Sequence, residues 1–215
     1  MLDENLIAQL ARRKIVSDTF RRLQPDKKER IYQIAVRLFG TYGYDGMPVD
    51  RFCREAGISK GSFFQYFPSK SHLLEFVVIS FDDYIARWIA NIRRDNKTVL
   101  ARDRLLHLYN VSMTGAHLTP DEKIFYLFVT KASAHANVTI EGIDLEQHLR
   151  SYIQEIIERG EQTGEIRGDH DLRMTGHVFF SLFTALIDQE FAGDHPTALP
   201  TGKQLISLLF DGIRA

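Results

Sequence analysis

Apolar positions along the chain recur at spacings of three and four almost from end to end, the period of amphipathic helices. The Asp45-Gly46 and Asp211-Gly212 pairs lack the flanking alternating runs that a hairpin needs. The pattern therefore predicts an all-α chain. Pro25-Asp26 opens a helix whose apolar stripe is Ile31, Ile34, Ala35, Leu38 and Phe39, and Gly43 stops it. Two short helices come next at about 49–56 and 60–66, parted by Gly57-Ile58-Ser59. Ser69 caps a long helix from Lys70 to about Asp95, with Leu73, Val77, Phe81, Tyr84, Ile85, Trp88 and Ile92 facing inward. Further helices are expected at about 100–115, 120–137, 144–163, 170–191 and 202–213, with Gly142, Gly164, Gly168, Gly193, Pro196 and Pro200 marking breaks. Thr119-Pro120-Asp121-Glu122 is a start signal: Thr119 as N-cap, Pro120 in the first helical position, Glu122 placed for a capping box. Residues 5–23, carrying Leu6, Ile7, Leu10 and the basic set Arg12, Arg13, Lys14, Arg21 and Arg22, read either as an extra helix or as a partly disordered arm.

Composition narrows the class. At 215 residues with 44% apolar side chains, the chain buries a sizeable core without disulfides or metal. The lone cysteine, Cys53, excludes an internal disulfide framework and reads as a small packing residue in a reducing compartment. No run of eighteen apolar residues predicts a membrane span, and Met1-Leu2-Asp3-Glu4 lacks the order of a secretory signal, so a cytoplasmic location is expected. The sequons at Asn96, Asn110 and Asn137 are then read as chance. The net charge of −1 conceals an asymmetry: residues 1–70 hold 13 Lys and Arg against 8 Asp and Glu, and the remainder 14 against 20. A basic first third on an acidic body suits a polyanion-binding module joined to a domain with another task.

Two short helices about a tight glycine turn, after a longer helix, have the layout of a helix-turn-helix, whose second short helix enters the major groove. Val49, Phe52, Cys53, Ala56, Ile58, Phe63 and Phe67 are spaced to fill the angle between them. Ser59 is placed to N-cap the second helix, whose first turn presents Lys60, Gly61 and Ser62 toward a phosphate.

The run Arg30-Ile31, Ile34-Ala35, Leu38-Phe39, Tyr42-Gly43-Tyr44, Val49, Phe52, Ala56-Gly57-Ile58-Ser59-Lys60-Gly61-Ser62, Phe64, Tyr66-Phe67, Ser69-Lys70 and Leu73-Leu74 resembles the N-terminal signature of the TetR family in order and spacing. The resemblance implies an N-terminal three-helix helix-turn-helix DNA-binding domain plus a C-terminal helical domain for effector binding and dimerisation. It divides the chain into 1–24 as arm or extra helix, 25–70 as DNA-binding domain and 71–215 as effector-binding and dimerisation domain. It further implies that Lys60, Tyr66 and Lys70 contact phosphates while Ser62, Phe63 and Gln65 lie at or near base edges of a double-stranded operator. The Gln65 amide suits adenine N6 and N7. Two positions depart from the signature. Pro48 stands where a hydroxyl residue commonly caps the first short helix, and Phe64 stands where a tyrosine is expected, so two phosphate-directed hydroxyls are missing.

Beyond Leu74 the resemblance is thin. The segment 177–187 is apolar nearly all round, which predicts burial on two sides. Leu172, Phe179, Leu182, Phe183 and Leu186 would face their own domain. Val178, Ser181 and Ala185 would then face a partner, completing with Leu205, Leu208, Leu209 and Ile213 an intersubunit four-helix bundle in a homodimer. In the region where the family places its inducer pocket the chain holds Trp88, His107, Tyr109, Met113, His117, Phe125, Tyr126, Phe128 and His135. Of these Trp88, His107, Met113, His117, Phe125 and Phe128 are the expected lining for a small organic effector. No cofactor or metal is expected, since the histidines lack ligand spacing. Catalysis is not expected either, because neither a phosphate loop nor a nucleophile elbow occurs. The expected function is a repressor released from a pseudo-palindromic operator by the effector. A ligand-independent helical DNA-binding or protein-interaction dimer is the alternative.

Overall fold

The computed structural model describes residues 2–96, 100–114, 117–132, 143–193 and 202–213. Among the described residues there are eleven α-helices and no strand. In chain order they are α1 Glu4–Arg12, α2 Asp18–Arg21, α3 Pro25–Gly46, α4 Val49–Ala56, α5 Lys60–Tyr66, α6 Lys70–Asp95, α7 Ala101–Thr114, α8 Pro120–Ala132, α9 Gln147–Gln162, α10 Leu172–Ala192 and α11 Gly202–Ile213. The helices read from the periodicity are present. The expected extension of α8 to 137, with His135, lies outside the described residues.

Two compact units form, and they do not follow chain order. The first comprises Met1–Ile85 with Leu118–Asp144, the second Ala86–His117 with Leu145–Ala215. The 25–70 segment expected as the DNA-binding domain lies within the first unit, together with α1, α2, the first part of α6 and α8.

In the first unit α3 is the spine. Ile31, Tyr32, Ala35, Leu38 and Phe39 are fully buried along it. The helix breaks at Gly43, whose φ of 66° and ψ of −176° are open to glycine and strained for other residues. Helix α8 packs against α3 so closely that a Cβ added at Gly40 would lie 3.1 Å from the Phe125 backbone nitrogen. The start of α8 is the expected capping box: Thr119 N–H donates to Glu122 Oε2 at 2.8 Å, and Glu122 N–H to Thr119 Oγ1 at 3.3 Å.

Residues 4–12 and 18–21 form helices rather than an arm. Ile7, Leu10 and Phe20 are fully buried. The Phe20 ring lies 5.0 Å from Phe67, 5.1 Å from Phe76 and 6.0 Å from Tyr66, centroid to centroid. Lys28, 2% exposed, is satisfied by Glu4, whose two carboxylate oxygens each lie 2.6 Å from Nζ, and by the Arg21 carbonyl at 3.2 Å. A buried ammonium without such partners would be strongly destabilising.

The second unit packs α7, α9, α10 and α11 on one another. Tyr152, Ile153, Ile156 and Ile157 of α9 are fully buried. At Gly160 the backbone approaches α7, and a Cβ there would meet Ala101 Cβ at 2.9 Å. Leu172 opens α10 after Asp171, whose carboxylate accepts from the Arg173 and Met174 N–H groups.

Because Phe20 ties α2 to the recognition region, Phe20→Ala should cost ~3–5 kcal/mol of unfolding free energy. Chemical denaturation of the full chain measures this. A loss under about 1 kcal/mol, typical of a surface substitution, would show that α1 and α2 are not part of the core.

Candidate nucleic-acid interface

Helix α4 ends at Gly57, in the left-handed region at φ 67° and ψ 39°, and this residue turns the chain toward α5. The Ser59 hydroxyl caps α5, accepting from Ser62 N–H at 3.0 Å. No side-chain bond caps α4, whose N-cap is Pro48, as its lack of a hydroxyl led us to expect; Asp50 lies in the first turn. The angle between α4 and α5 is filled by Phe52, Cys53, Ala56, Phe63 and Phe67, all buried, with Val49 and Ile58 half-buried. Burial raises the Cys53 thiol above its ordinary pKa, the nearby Asp50 adding to the effect, which fits an inert packing role.

The outward face of α5 carries Lys60, Gly61, Phe64 and Gln65, with Ser62 half-buried. Lys60 Nζ pairs with Asp50 at 2.9 Å, both side chains largely exposed, and the Asp50 carboxylate holds its pKa above the usual lysine value. Such an exposed pair is weak and readily exchanged for another anion. Lys70 Nζ lies 4.7 Å above the Tyr44 ring and donates to the Asp45 carbonyl at 3.2 Å. That holds its ammonium against the C-terminal end of α3 while part of the side chain stays at the surface.

Phe63, expected at or near a base edge, is placed differently. Phe63 has no exposed surface, its ring lying 5.8 Å from Phe52 and 5.9 Å from Phe67. A side chain inside the core cannot reach a base edge, so its role is to seat α5. Phe64, 55% exposed, is the aromatic that faces outward, its ring edge-on to Phe63 at 5.0 Å. Tyr66 is 6% exposed, its ring under Lys27 Nζ at 5.9 Å. One helical position separates the two phenylalanines, and helical phase alone places them on different faces.

The pattern of apolar positions also missed a charged brace behind α4. Glu55 accepts from Arg51 Nε at 2.6 Å and from Arg37, while Arg30 donates to the Glu55 carbonyl at 2.8 Å. Arg51 also donates to the Tyr42 hydroxyl. The links of Arg30, Arg37 and Tyr42 join α3 to α4, and side chains that far apart in sequence meet only in the fold.

Of the residues expected to line a pocket, Phe125 and Phe128 belong to the first unit. Phe125 is fully buried, 5.5 Å from Phe81 and 5.9 Å from Phe128, and Phe128 is half-buried near Gly43. Trp88, His107, Met113 and His117 belong to the second unit. There Trp88 and His117 stack with ring centroids 3.8 Å apart and planes 10° apart, Met113 is half-buried, and His107 is exposed on α7. A cavity of about 140 Å³ between α7 and α9 is lined by Leu100, Ala101, Arg104, Ile156, Arg159, Gly160, Thr163 and Glu165, none of which had been expected. Among the described residues no three His, Cys, Asp or Glu side chains gather as a metal site. No described helix is long and apolar enough to cross a membrane.

The expected partner-facing positions of the second unit do reach the surface. Val178, 42% exposed, Ser181 and Ala185 are exposed on α10 with Met174, while Phe179, Phe180, Phe183 and Ile187 are buried. On α11 Leu208 is 70% exposed and Leu205 and Leu209 are half-buried.

A glycine-turned pair of short helices braced on a third is the layout of a helix-turn-helix. Residues 31–77 match the family described as "Bacterial regulatory proteins, tetR family". That segment is therefore similar to the DNA-binding part of TetR-family transcriptional regulators. Over 86 residues the chain is 35% identical to the HTH-type transcriptional regulator YuxN of Bacillus subtilis, a stretch that covers 39% of this chain but only 30% of YuxN. The HTH-type regulator YhgD of the same organism is 23% identical over 86% of this chain and 93% of its own length. A TetR family transcriptional regulator from Chloroflexus aurantiacus shares the fold, with a TM-score of 0.63 at 20% identity over 93% of this chain and 99% of that one.

The Glu55 brace titrates. Hydrogen bonds from Arg51 and then Arg37 hold its carboxyl down to about 2. A carboxylate lowered in the folded state stabilises it above the unfolded pKa and loses that contribution as pH falls toward the folded value. Glu55→Gln should therefore lower the melting temperature at pH 7, and the gap from wild type should close between pH of about 4.5 and about 2. Thermal melts across that range check it; a gap independent of pH would assign the effect to shape alone.

Proposed function

We propose that the chain is a cytoplasmic, homodimeric regulator that binds a pseudo-palindromic operator through α5 and is released by a small organic effector. The observation that carries the DNA half is the outward face of α5, where Lys60 and Gln65 are exposed while Phe63 and Phe67 beneath them are fully buried. Lys60, Tyr66 and Lys70 hold phosphates, and Ser62 and Gln65 stand at base edges. Two copies of α5 about 34 Å apart would read successive major-groove faces. The exposed Met174, Val178, Ser181 and Ala185 of α10, with Leu205, Leu208 and Leu209 of α11, form the self-complementary face such spacing requires.

Helix α6 contributes its N-terminal part to the first compact unit and the rest to the second. An effector with different affinity for two positions of α6 would change the separation of the recognition helices and so release DNA. The Trp88 and His117 stack on the second-unit part of the chain supports an aromatic recognition element. Full burial of Phe125 and exposure of His107 favour instead the reading without an effector.

Selection from a random duplex pool followed by gel-shift titration tests the DNA reading. Gln65→Ala should relax preference at one base pair by about 1–3 kcal/mol, whereas Lys70→Ala should weaken all duplexes alike and lower the salt slope by about 1. If no duplex is enriched, or neither substitution changes binding, the assignment fails. For the dimer, Val178→Asp with Leu208→Asp should convert the chain to a monomer in sedimentation and weaken operator binding markedly. A variant that stays dimeric would place the interface elsewhere. Thermal-shift screening with small organic compounds separates the effector-released reading from the ligand-independent one.

A further inference from the structure

From its N-terminal helices we infer that this chain carries a second DNA-contacting surface, a basic platform of Arg12 and Lys14 that grips phosphates flanking the site read by α5. The inference rests on the DNA-binding reading above.

Three observations converge on it. The first is charge. Residues 12–22 contain five cations, Arg12, Arg13, Lys14, Arg21 and Arg22, against one carboxylate, Asp18, and all five are exposed. Arg21 pairs with Asp18 at 3.0 Å, Arg22 donates to the Asp18 carbonyl, and Arg13 reaches Glu75 at 3.5 Å. Arg12 and Lys14 have no such partner among the described residues and are the cations open to an outside anion.

The second is attachment. The segment is not loose: Ile15 and Val16 are buried just after the cations, and Ser17 N–H donates to the Tyr66 carbonyl at 3.0 Å. Tyr66 is the last residue of α5, so the platform is hydrogen-bonded to the recognition helix itself. Phe20 secures it from below through Tyr66, Phe67 and Phe76. The platform is therefore fixed to the C-terminal end of α5 and, on the DNA-binding reading, travels with that helix to the duplex.

The third is strain. Helix α1 closes with a bond from Ile15 N–H to the Leu10 carbonyl and one from Lys14 N–H to the Ala11 carbonyl, and this places Lys14 at φ 62°. Lys14 is the one non-glycine residue with positive φ among the described residues. Glycine is favoured at such a helix end, and a lysine there is strained. A cation standing where glycine fits the backbone better points to a use for the charge outside the fold.

The backbone at this position also makes the test selective, because Lys14→Gly removes the charge while relaxing the strain. Lys14→Gly, Arg12→Gln, the pair together and the charge-retaining Lys14→Arg are titrated, as full-length protein, against the enriched duplex and a scrambled one at several salt concentrations. Arg94→Gln serves as an exposed cation in the other compact unit. The platform predicts that each neutral variant lowers the magnitude of the salt slope by about 1 and the pair by about 2. Both duplexes should weaken by the same factor, Lys14→Arg should bind as wild type, and the melting temperature of Lys14→Gly should not fall. An unchanged slope in Lys14→Gly and Arg12→Gln overturns the platform, as does an equal fall in Arg94→Gln. If wild type enriches no duplex, the DNA-binding reading falls and the platform with it; if wild type binds and Lys70→Ala alters its slope while these variants do not, the platform alone is wrong.

Discussion

The burial of Phe63 and Phe67 beneath α5 is the constraint on which the DNA surface depends. Helix α5 has seven residues, well short of the length at which a helix holds itself in water. Its direction is set by two rings that have no exposed surface and by the single hydroxyl of Ser59 at its start. Everything offered to DNA is carried on the opposite side of those rings. Phe67 in turn touches Phe20 and Phe76, so the extra N-terminal helices and the first turns of α6 share one aromatic cluster with the recognition helix.

This arrangement explains why the basic N-terminal segment is ordered. A stretch with five cations in eleven residues would be solvated and mobile on composition alone. Four apolar anchors, Ile7, Leu10, Ile15 and Phe20, each with at most 3% of its surface exposed, overcome that tendency. The charged brace around Glu55 acts in the same way on the other side, tying α4 to α3 through carboxylate and guanidinium groups. In both places ionic groups sit at the rim of an apolar cluster, where water still reaches them and the cost of desolvation stays small.

Helix α8 bears on the effector question. It comes after α7 in the chain yet packs on α3, with Gly40 allowing backbone contact at Phe125. An aromatic residue drawn from sequence as pocket lining thus becomes core of the unit that holds the DNA surface. Any ligand that displaced α8 would act on the spine of the helix-turn-helix without an intermediary.

Helix positions, the glycine turn at Gly57, the Ser59 cap, the Thr119 and Glu122 box and the exposed stripe of α10 were all legible in the chain, because each depends on local period or on residues three or four apart. The similarity of residues 31–77 to the TetR family was legible for the same reason, its signature being a contiguous run of such features. Tertiary structure alone decided whether residues 5–23 fold, which of Phe63 and Phe64 faces outward, that Arg37 and Arg30 reach Glu55, and that Phe125 packs against α3. Each of these turns on contacts between residues distant in sequence, and a linear pattern carries the period of a helix without naming the surface that covers it.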